Sequence, residues 1–367
     1  MKILAAGASA RAVAESAARA GHEVLAVDLF GDRDLLAVAS WRQADREDPG
    51  GSLASTALEQ GVDAVVFASG VENNPDAVEY LRSAGVRVLA PRALALRRCR
   101  DTEELARVCA RNHIARPRVF SEPPPGADLL VKPKRGGSGI GVRDWDGVTV
   151  AAEDEYLQEK IDGVPLSAIF LADGRRAVLL GVSRQFAGEA FLGAEDYAWC
   201  GNLMPFDAQP EERKALSAEL RRVVSALVSE FELAGACGVD FILRGGVPWL
   251  LEINPRISAS FELAELLAGI NVFDAHLSAL EGRLTEERDV LAGGPFRGKG
   301  IVYAPRGMTA PDTSGWLGTN RHDIPQAWSP LPKGLPICTV ITPPMESAAG
   351  VMEYLREEAE RVWRECS

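Results

Sequence analysis

Short apolar runs alternate with helical stretches from the first residues of the chain. Lys2–Ala6 is apolar, Ser9–Ala20 is alanine-rich and stops at Gly21, and Glu23–Asp28 is a second apolar run. That order predicts a strand–helix–strand unit. A further buried strand is predicted over Ala64–Ala68, a helix near Pro75–Ala84 ended by Gly85, and a strand over Val86–Leu89 closed before Pro91. Strands alternating with helices predict a parallel, doubly wound α/β sheet over the first ~95 residues.

The pattern then changes. A turn-rich connector, Ser121–Gly126, leads into Leu129–Lys132, Ile140–Arg143, Tyr156–Ile161, Leu166–Leu171 and Arg176–Val182, which read as strands of a small β-rich module. Pro210–Leu233 is the longest helical pattern, with proline and two glutamates in its first turn and Gly235 beyond its end. Val239–Leu243 and Val247–Ile253 flank Arg244-Gly245-Gly246 as a hairpin. Strands are predicted at Gly300–Ala304 and Ile337–Ile341, and a closing helix at Ala348–Glu365.

Composition narrows the function classes. The 367 residues suffice for two or three domains of ~150 residues. Hydrophobic residues at 47% and charged residues at 25% describe a folded, soluble chain. Forty basic against 52 acidic side chains leave a net charge of −12, which argues against nucleic acid as the main partner. No apolar run approaches the ~18 residues that cross a bilayer, and the first residues lack a signal-peptide core, so no membrane association and a cytoplasmic location are expected. Six scattered cysteines and four separated histidines offer neither a disulfide framework nor a zinc site, so any metal should have oxygen ligands. Between Arg82 and Arg118, ten arginines face only three acids. This stretch is either a solvated, salt-bridged helix face or part of a cleft for phosphate or carboxylate.

Three motifs carry chemistry. The turn after the first strand, with Asp28 about 20 residues on, has the outline of a dinucleotide site, but of the three glycines needed only Gly7 is present. Lys132 precedes Gly136, Gly137, Ser138, Gly139 and Gly141, a loop whose backbone N–H groups can cradle phosphates while the lysine supplies charge; the spacing is not that of a P-loop. Glu252 and Asn254, two apart on a strand, share a face that Asp240 on the preceding hairpin strand can join, an oxygen set suited to Mg²⁺.

In this order the motifs resemble the ATP-grasp superfamily along essentially the whole chain. The resemblance implies an N-terminal pre-ATP-grasp domain over 1–95, a linker helix and lid subdomain over 96–182, a C-terminal α+β lobe with the metal site over 183–290, and a β/α extension over 291–367. It assigns ATP to Lys132, the Gly136–Gly141 loop and the hinge Glu159, Lys160 and Ile161, and Mg²⁺ or Mn²⁺ to Asp240, Glu252 and Asn254. It makes Arg256 and Lys132 catalytic, and places Glu72, Asn73 and Arg256 at the substrate. Two positions depart from the family pattern: Arg100-Asp101-Thr102 stands where an Asp-Lys is common, so Arg98 or Arg100 substitutes for a second phosphate lysine, and no glutamate follows Gly163 to hold the ribose.

Softer features, Gly70-x-Glu72-Asn73, Gly163-x-Pro165-x-Ser167, Asp323-Ile324-Pro325 and Pro336–Val340, look like those of poorly characterised carboligases related to biotin carboxylase and tyramine–glutamate ligase. The implied activity is an ATP-dependent ligase joining a small-molecule carboxylate and an amine through an acyl phosphate, in coenzyme biosynthesis of the methanofuran or methanopterin type, with a homodimer as the assembly to test. The alternatives are a bicarbonate-using carboxylase and a nucleotide-binding regulator without turnover.

Overall fold

The computed structural model describes residues 1–366 apart from 149, 150, 288, 292 and 293. The N-terminal sheet is parallel and has the order β3-β2-β1-β4-β5, from β1 (Lys2–Ala6), β2 (Glu23–Asp28), β3 (Ser40–Gln43), β4 (Ala64–Phe67) and β5 (Arg87–Leu89). Helices α1 (Arg11–Arg19), α2 (Arg33–Leu36), α3 (Pro49–Glu59) and α4 (Pro75–Ser83) connect the strands. Ile3 and Ala5 pack on the α1 side with Val13 and Ala17, while Leu4 and Ala6 pack on the other with Leu53 and Leu81. Burial on both faces is what makes β1, β2 and β4 continuous apolar runs. The edge strand β3 is mostly exposed, so it carries no such pattern and was not predicted. Helix α3 begins Pro-Gly-Gly-Ser, a poor helix signal rescued by Asp48, whose carboxylate accepts from the Gly51 amide at 2.8 Å.

Two helices, α5 (Ala93–Arg100) and α6 (Thr102–Arg111), lead to a four-stranded antiparallel sheet of order β6-β9-β7-β8: β6 (Val119–Phe120), β7 (Leu129–Pro133), β8 (Arg143–Asp144) and β9 (Glu155–Glu159). Its core is small, with Leu129, Val131 and Leu157 at the centre. The strand expected over 140–143 shrinks to β8 because Gly139 and Gly141 adopt positive φ and turn the chain.

The largest sheet has the order β14-β13-β10-β11-β12-β15-β19-β17. It contains β10 (Val164–Asp173), β11 (Ala177–Ala187), β12 (Trp199–Met204), β13 (Ala234–Arg244), β14 (Val247–Asn254), β15 (Arg297–Tyr303), β17 (Arg321–His322) and β19 (Pro336–Ile341), while β16 (Met308–Thr309) pairs separately with β18 (Pro330–Leu331). Strands β10 and β11, grouped by sequence with the lid segment 96–182, therefore belong to this sheet, and residues 291–367 extend it. Pairing with β13 in space, not proximity to β9 in sequence, decides their membership. Helix α7 (Pro210–Phe231) covers one face through Leu220, Val224 and Leu227, and α8 (Phe261–Ala268) and α9 (Val272–Leu280) cover the other. Helix α10 (Ala348–Glu365) closes a third core with Val351 and Leu355. Among the described residues no single helix is long and apolar enough to cross a membrane; α8 and α9 qualify only together, bend by 104°, and bury Phe261 and Phe273 in the core.

Candidate functional site

A cleft of about 1140 Å³ runs between the lid sheet, the large sheet and the N-terminal domain. At one end Lys132, on β7, donates through Nζ to Gln158 Oε1 at 3.3 Å across the lid sheet. The glycine loop follows, with Ser138 held at φ +56° and Gly139 at +71°. The loop docks on the large sheet: the Trp199 amide donates to the Ser138 carbonyl at 2.8 Å, and a Cβ on Gly139 would sit 1.8 Å from the Tyr197 carbonyl oxygen. Only glycine fits both that φ and that approach. The hinge residues Glu159, Lys160 and Ile161 line the same end. The Glu159 carboxylate is turned onto Arg118 at 3.2 Å, and Lys160 Nζ donates to Asp144 at 2.6 Å, so these two side chains are engaged with groups of the lid sheet.

The large sheet lines the same cleft, where Asp240 on β13 stands opposite Glu252 on β14. Asp240 accepts from Gln185 Nε2 at 3.0 Å and from Asn254 Nδ2 at 2.8 Å. Burial, then the charge of Glu252, pushes the Asp240 carboxyl up to about 7. Two carboxylates facing each other with an amide oxygen beside them form a hard-oxygen set, and their mutual repulsion is what a divalent cation would relieve; the residues fit Mg²⁺ or Mn²⁺.

Arg256 follows this strand. Its Nε donates to both oxygens of Glu72 at 2.9 and 3.0 Å, and its Nη2 to Asn254 Oδ1 at 3.3 Å. Arg100 also donates to Glu72 at 3.0 Å and lies 3.6 Å from Glu252. Burial pushes the Glu72 carboxyl up, but Arg256 and Arg100 outweigh it and hold Glu72 below the usual carboxylate range.

These contacts correct the expectation for Glu72 and Asn73. Neither lines the cleft: Glu72 is buried beneath the two arginines, and Asn73 borders a separate, shallow hollow. Glu72 therefore acts on the site by fixing Arg256. The basic stretch divides along both of its readings. Arg97 and Arg111 pair with surface acids, Arg98 pairs with Glu104 and stacks on Phe231, and Arg100 and Arg116 line the cleft. Of the two arginines Arg98 and Arg100, Arg100 is thus the one that lines the cleft. The Gly7 turn holds no dinucleotide signature. Asp28 is consumed by the Ala10, Phe30 and Gly31 amides and by Trp41 Nε1, and a Cβ on Gly7 would meet Ala68 at 2.8 Å.

Three cleft residues escaped the sequence reading: Gln185, which holds Asp240, Arg116, and the side chain of Gln158. Arg116 Nε and Gln158 Nε2 are buried without a hydrogen-bond partner. Gln158 left a signal, a polar residue beside buried Leu157 on a strand, whereas Arg116 lies in a partly exposed loop and left none.

Residues 105–260 match the ATP-grasp domain family. The chain is 28% identical over 160 residues to an uncharacterized protein of Methanocaldococcus jannaschii, covering 44% of this chain and 37% of that one. It is 26% identical over 203 residues to acetyl-CoA carboxylase of Dictyostelium discoideum, covering 53% of this chain and 8% of that one. The matches thus span well under half the length of either relative. Among solved structures, biotin carboxylase of Campylobacter jejuni, bound to β-γ-ATP, superposes with TM-score 0.71 at 14% identity over 100% of this chain and 91% of that one. L-amino acid ligase of Bacillus licheniformis gives 0.69 at 15% over 98% and 97%. At these identities the likeness is one of fold. Residues 105–260 are thus similar to ATP-grasp domains, and the architecture of the chain resembles that of biotin carboxylases and an amino acid ligase.

Proposed function

We propose that this ATP-grasp protein is an ATP-dependent carboxylate–amine ligase that forms an amide through an acyl phosphate. One observation carries the reading: a single cleft is lined by a lysine and a glycine loop suited to phosphate and by Asp240, Glu252, Asn254 and Arg256, with Arg100 donating to the Gly136 carbonyl at 3.3 Å and lying 3.6 Å from Glu252.

Lys132 and the loop amides hold the β- and γ-phosphates, and the orphaned donors of Arg116 and Gln158 take up nucleotide polar atoms. The substrate carboxylate attacks the γ-phosphorus, the bond to the β-phosphate oxygen breaks, and ADP leaves with an acyl phosphate remaining. The amine then adds to the acyl carbon, loses a proton, and expels phosphate. Arg256, oriented by Glu72, faces the charge that builds on the transferring phosphoryl group and on the acyl oxygen. Arg100 adds a second positive charge beside Glu252. A Mg²⁺ or Mn²⁺ held by Asp240, Glu252 and Asn254 would neutralise phosphate oxygens during transfer.

An acyl phosphate is trapped by hydroxylamine as a hydroxamate when the amine is withheld. We expect a screen of acids crossed with amines to find bicarbonate-independent ADP release, and the active acid to yield a hydroxamate. The second reading is a bicarbonate-using carboxylase, favoured by the similarity to acetyl-CoA carboxylase; ADP release that requires bicarbonate and yields no organic hydroxamate would establish it. Nucleotide binding without phosphate release under any pairing would make the chain a regulator. The coenzyme setting, of methanofuran or methanopterin type, rests on the soft sequence features alone and is tested by including such acids in the screen. Six free cysteines, all buried, suit work in a reducing cytoplasm.

A further inference from the structure

Beyond Arg256 the cleft continues to the turn after β1, where Ser9, Phe30, Asp32, Asp323 and Glu262 line it. Acids and bases line this region together, Asp32, Glu262, Glu265 and Asp323 beside Arg11, Arg19, Arg46 and Lys299. Arg11, fully buried at the start of α1, is bidentate to Asp323 at 3.1 Å through both Nε and Nη2, pairs with Glu262, and lies 3.3 Å from Glu15 and 3.6 Å from Asp34. Lys299 pairs with Glu262 at 2.7 Å. Asp34 accepts from the amides of Asp323 and Ile324, and Asp28 from the turn beside it. The arginine and the lysine are therefore already spoken for. Arg46 lies exposed at the mouth, and burial holds His322 below its usual value.

One group is left over. Asp32 is 6% exposed, lines the cleft, and its Oδ2 has no hydrogen-bond partner. A buried carboxylate oxygen without a donor is costly unless a ligand completes it. Burial first, then Asp323, Asp28 and Asp34, push its carboxyl up to about 9 against the opposing charge of Arg11, which favours the protonated form at neutral pH.

We infer that this part of the cleft binds an ammonium group of the substrate through the unpartnered carboxylate of Asp32. The inference rests on the ligase reading only in calling the bound molecule a substrate. The ammonium belongs either to a diamine, whose second amino group is the nucleophile, or to an amino acid, whose carboxylate is phosphorylated. An ammonium donating to Asp32 favours the ionised carboxylate, so binding at pH 7 releases the proton that Asp32 carried.

Calorimetry on the whole protein in two buffers of different ionisation enthalpy tests this, with putrescine and the zwitterion L-alanine as ammonium-bearing probes and butanediol and succinate as neutral and anionic controls. We expect one or both amines to bind with release of about one proton, and neither control to bind. Putrescine alone binding identifies the amine substrate as the source, and L-alanine alone identifies the acid. Asp32→Asn should weaken that binding by about tenfold or more and abolish proton release. Binding of butanediol or succinate as tight as that of the amines, no amine binding, or unchanged proton release in Asp32→Asn overturns the inference. The wild-type probe series decides the matter even where the variant does not fold. Hydroxamate formation without amine binding would leave the ligase reading standing and remove this one, and amine binding without ADP release under any pairing would do the reverse.

Discussion

Arg256 and Glu72 are 184 residues apart in sequence and 2.9 Å apart in space. Glu72 lies in the turn after β4 and Arg256 follows β14, the strand of Glu252 and Asn254, so one ion pair ties the N-terminal sheet to the cleft. Arg100 shares the same carboxylate. Removing Glu72 would leave two guanidinium groups partly buried without their partner.

Glu72→Gln should therefore lower stability by about 3–5 kcal/mol, the cost of breaking a buried pair, and reduce turnover more than ATP affinity because Arg256 loses its orientation. Urea denaturation beside nucleotide titration checks both. Unchanged turnover in a folded variant would show that Arg256 needs no such support.

Lys132→Ala should weaken ATP binding by roughly 10- to 150-fold, the loss of one charged hydrogen bond, with little effect on folding, since among the described residues Nζ donates only to Gln158, at a long 3.3 Å. Equilibrium titration with ATP reads the change. Wild-type affinity would take Lys132 out of the nucleotide site.

Glu252→Gln and Asn254→Ala should lose turnover far more than nucleotide binding, with the glutamate the more damaging, because a metal matters most as phosphoryl charge develops. The measurement is ADP release across a Mg²⁺ titration. Full activity of Glu252→Gln at limiting Mg²⁺ would contradict the metal assignment.

Gly139→Ala should prevent the glycine loop from docking on Tyr197, since the added Cβ would overlap a backbone carbonyl at a residue of positive φ. ATP with Mg²⁺ should protect this loop from proteolysis in the wild type and fail to do so in the variant. Equal cleavage of the wild type with and without nucleotide would count against a lid.

His276 sets a pH dependence of stability. Its Nδ1 accepts from the Ala236 amide at 2.8 Å and its Nε2 meets the Leu89 carbonyl at 3.0 Å, so the neutral ring bridges β13 and β5. Burial lowers its pKa from 6.5 to about 4. A depressed folded value means the unfolded chain takes the proton first. Stability is retained above pH 6.5 and lost as pH falls towards 4, by about 3 kcal/mol from this residue. His276→Gln should flatten that part of the profile in pH-dependent urea melts, whatever its own stability at pH 7.

Much of the scaffold and of the nucleotide site is written locally. Strands β1 and β2 and helix α10 lie where the pattern of apolar residues puts them, because a strand buried on both faces or a helix with one apolar stripe leaves its period in the sequence. The glycine run after Lys132 and the Asp240, Glu252 and Asn254 set are legible for the same reason: a hairpin and a two-residue strand repeat bring them together whatever the rest of the chain does. Strand β3 and helix α3 leave no such period, the one being an exposed edge and the other a glycine-rich segment held by its cap. The tertiary structure alone decided that β10 and β11 join the large sheet, that Arg100 and not Arg98 faces the cleft, that Glu72 holds Arg256, and that Arg11, Asp32 and Asp323 converge from distant segments. A charge carries no periodicity, and its partner is chosen by the packing of elements hundreds of residues apart, so the identities of these residues were visible in the chain while their pairings were not.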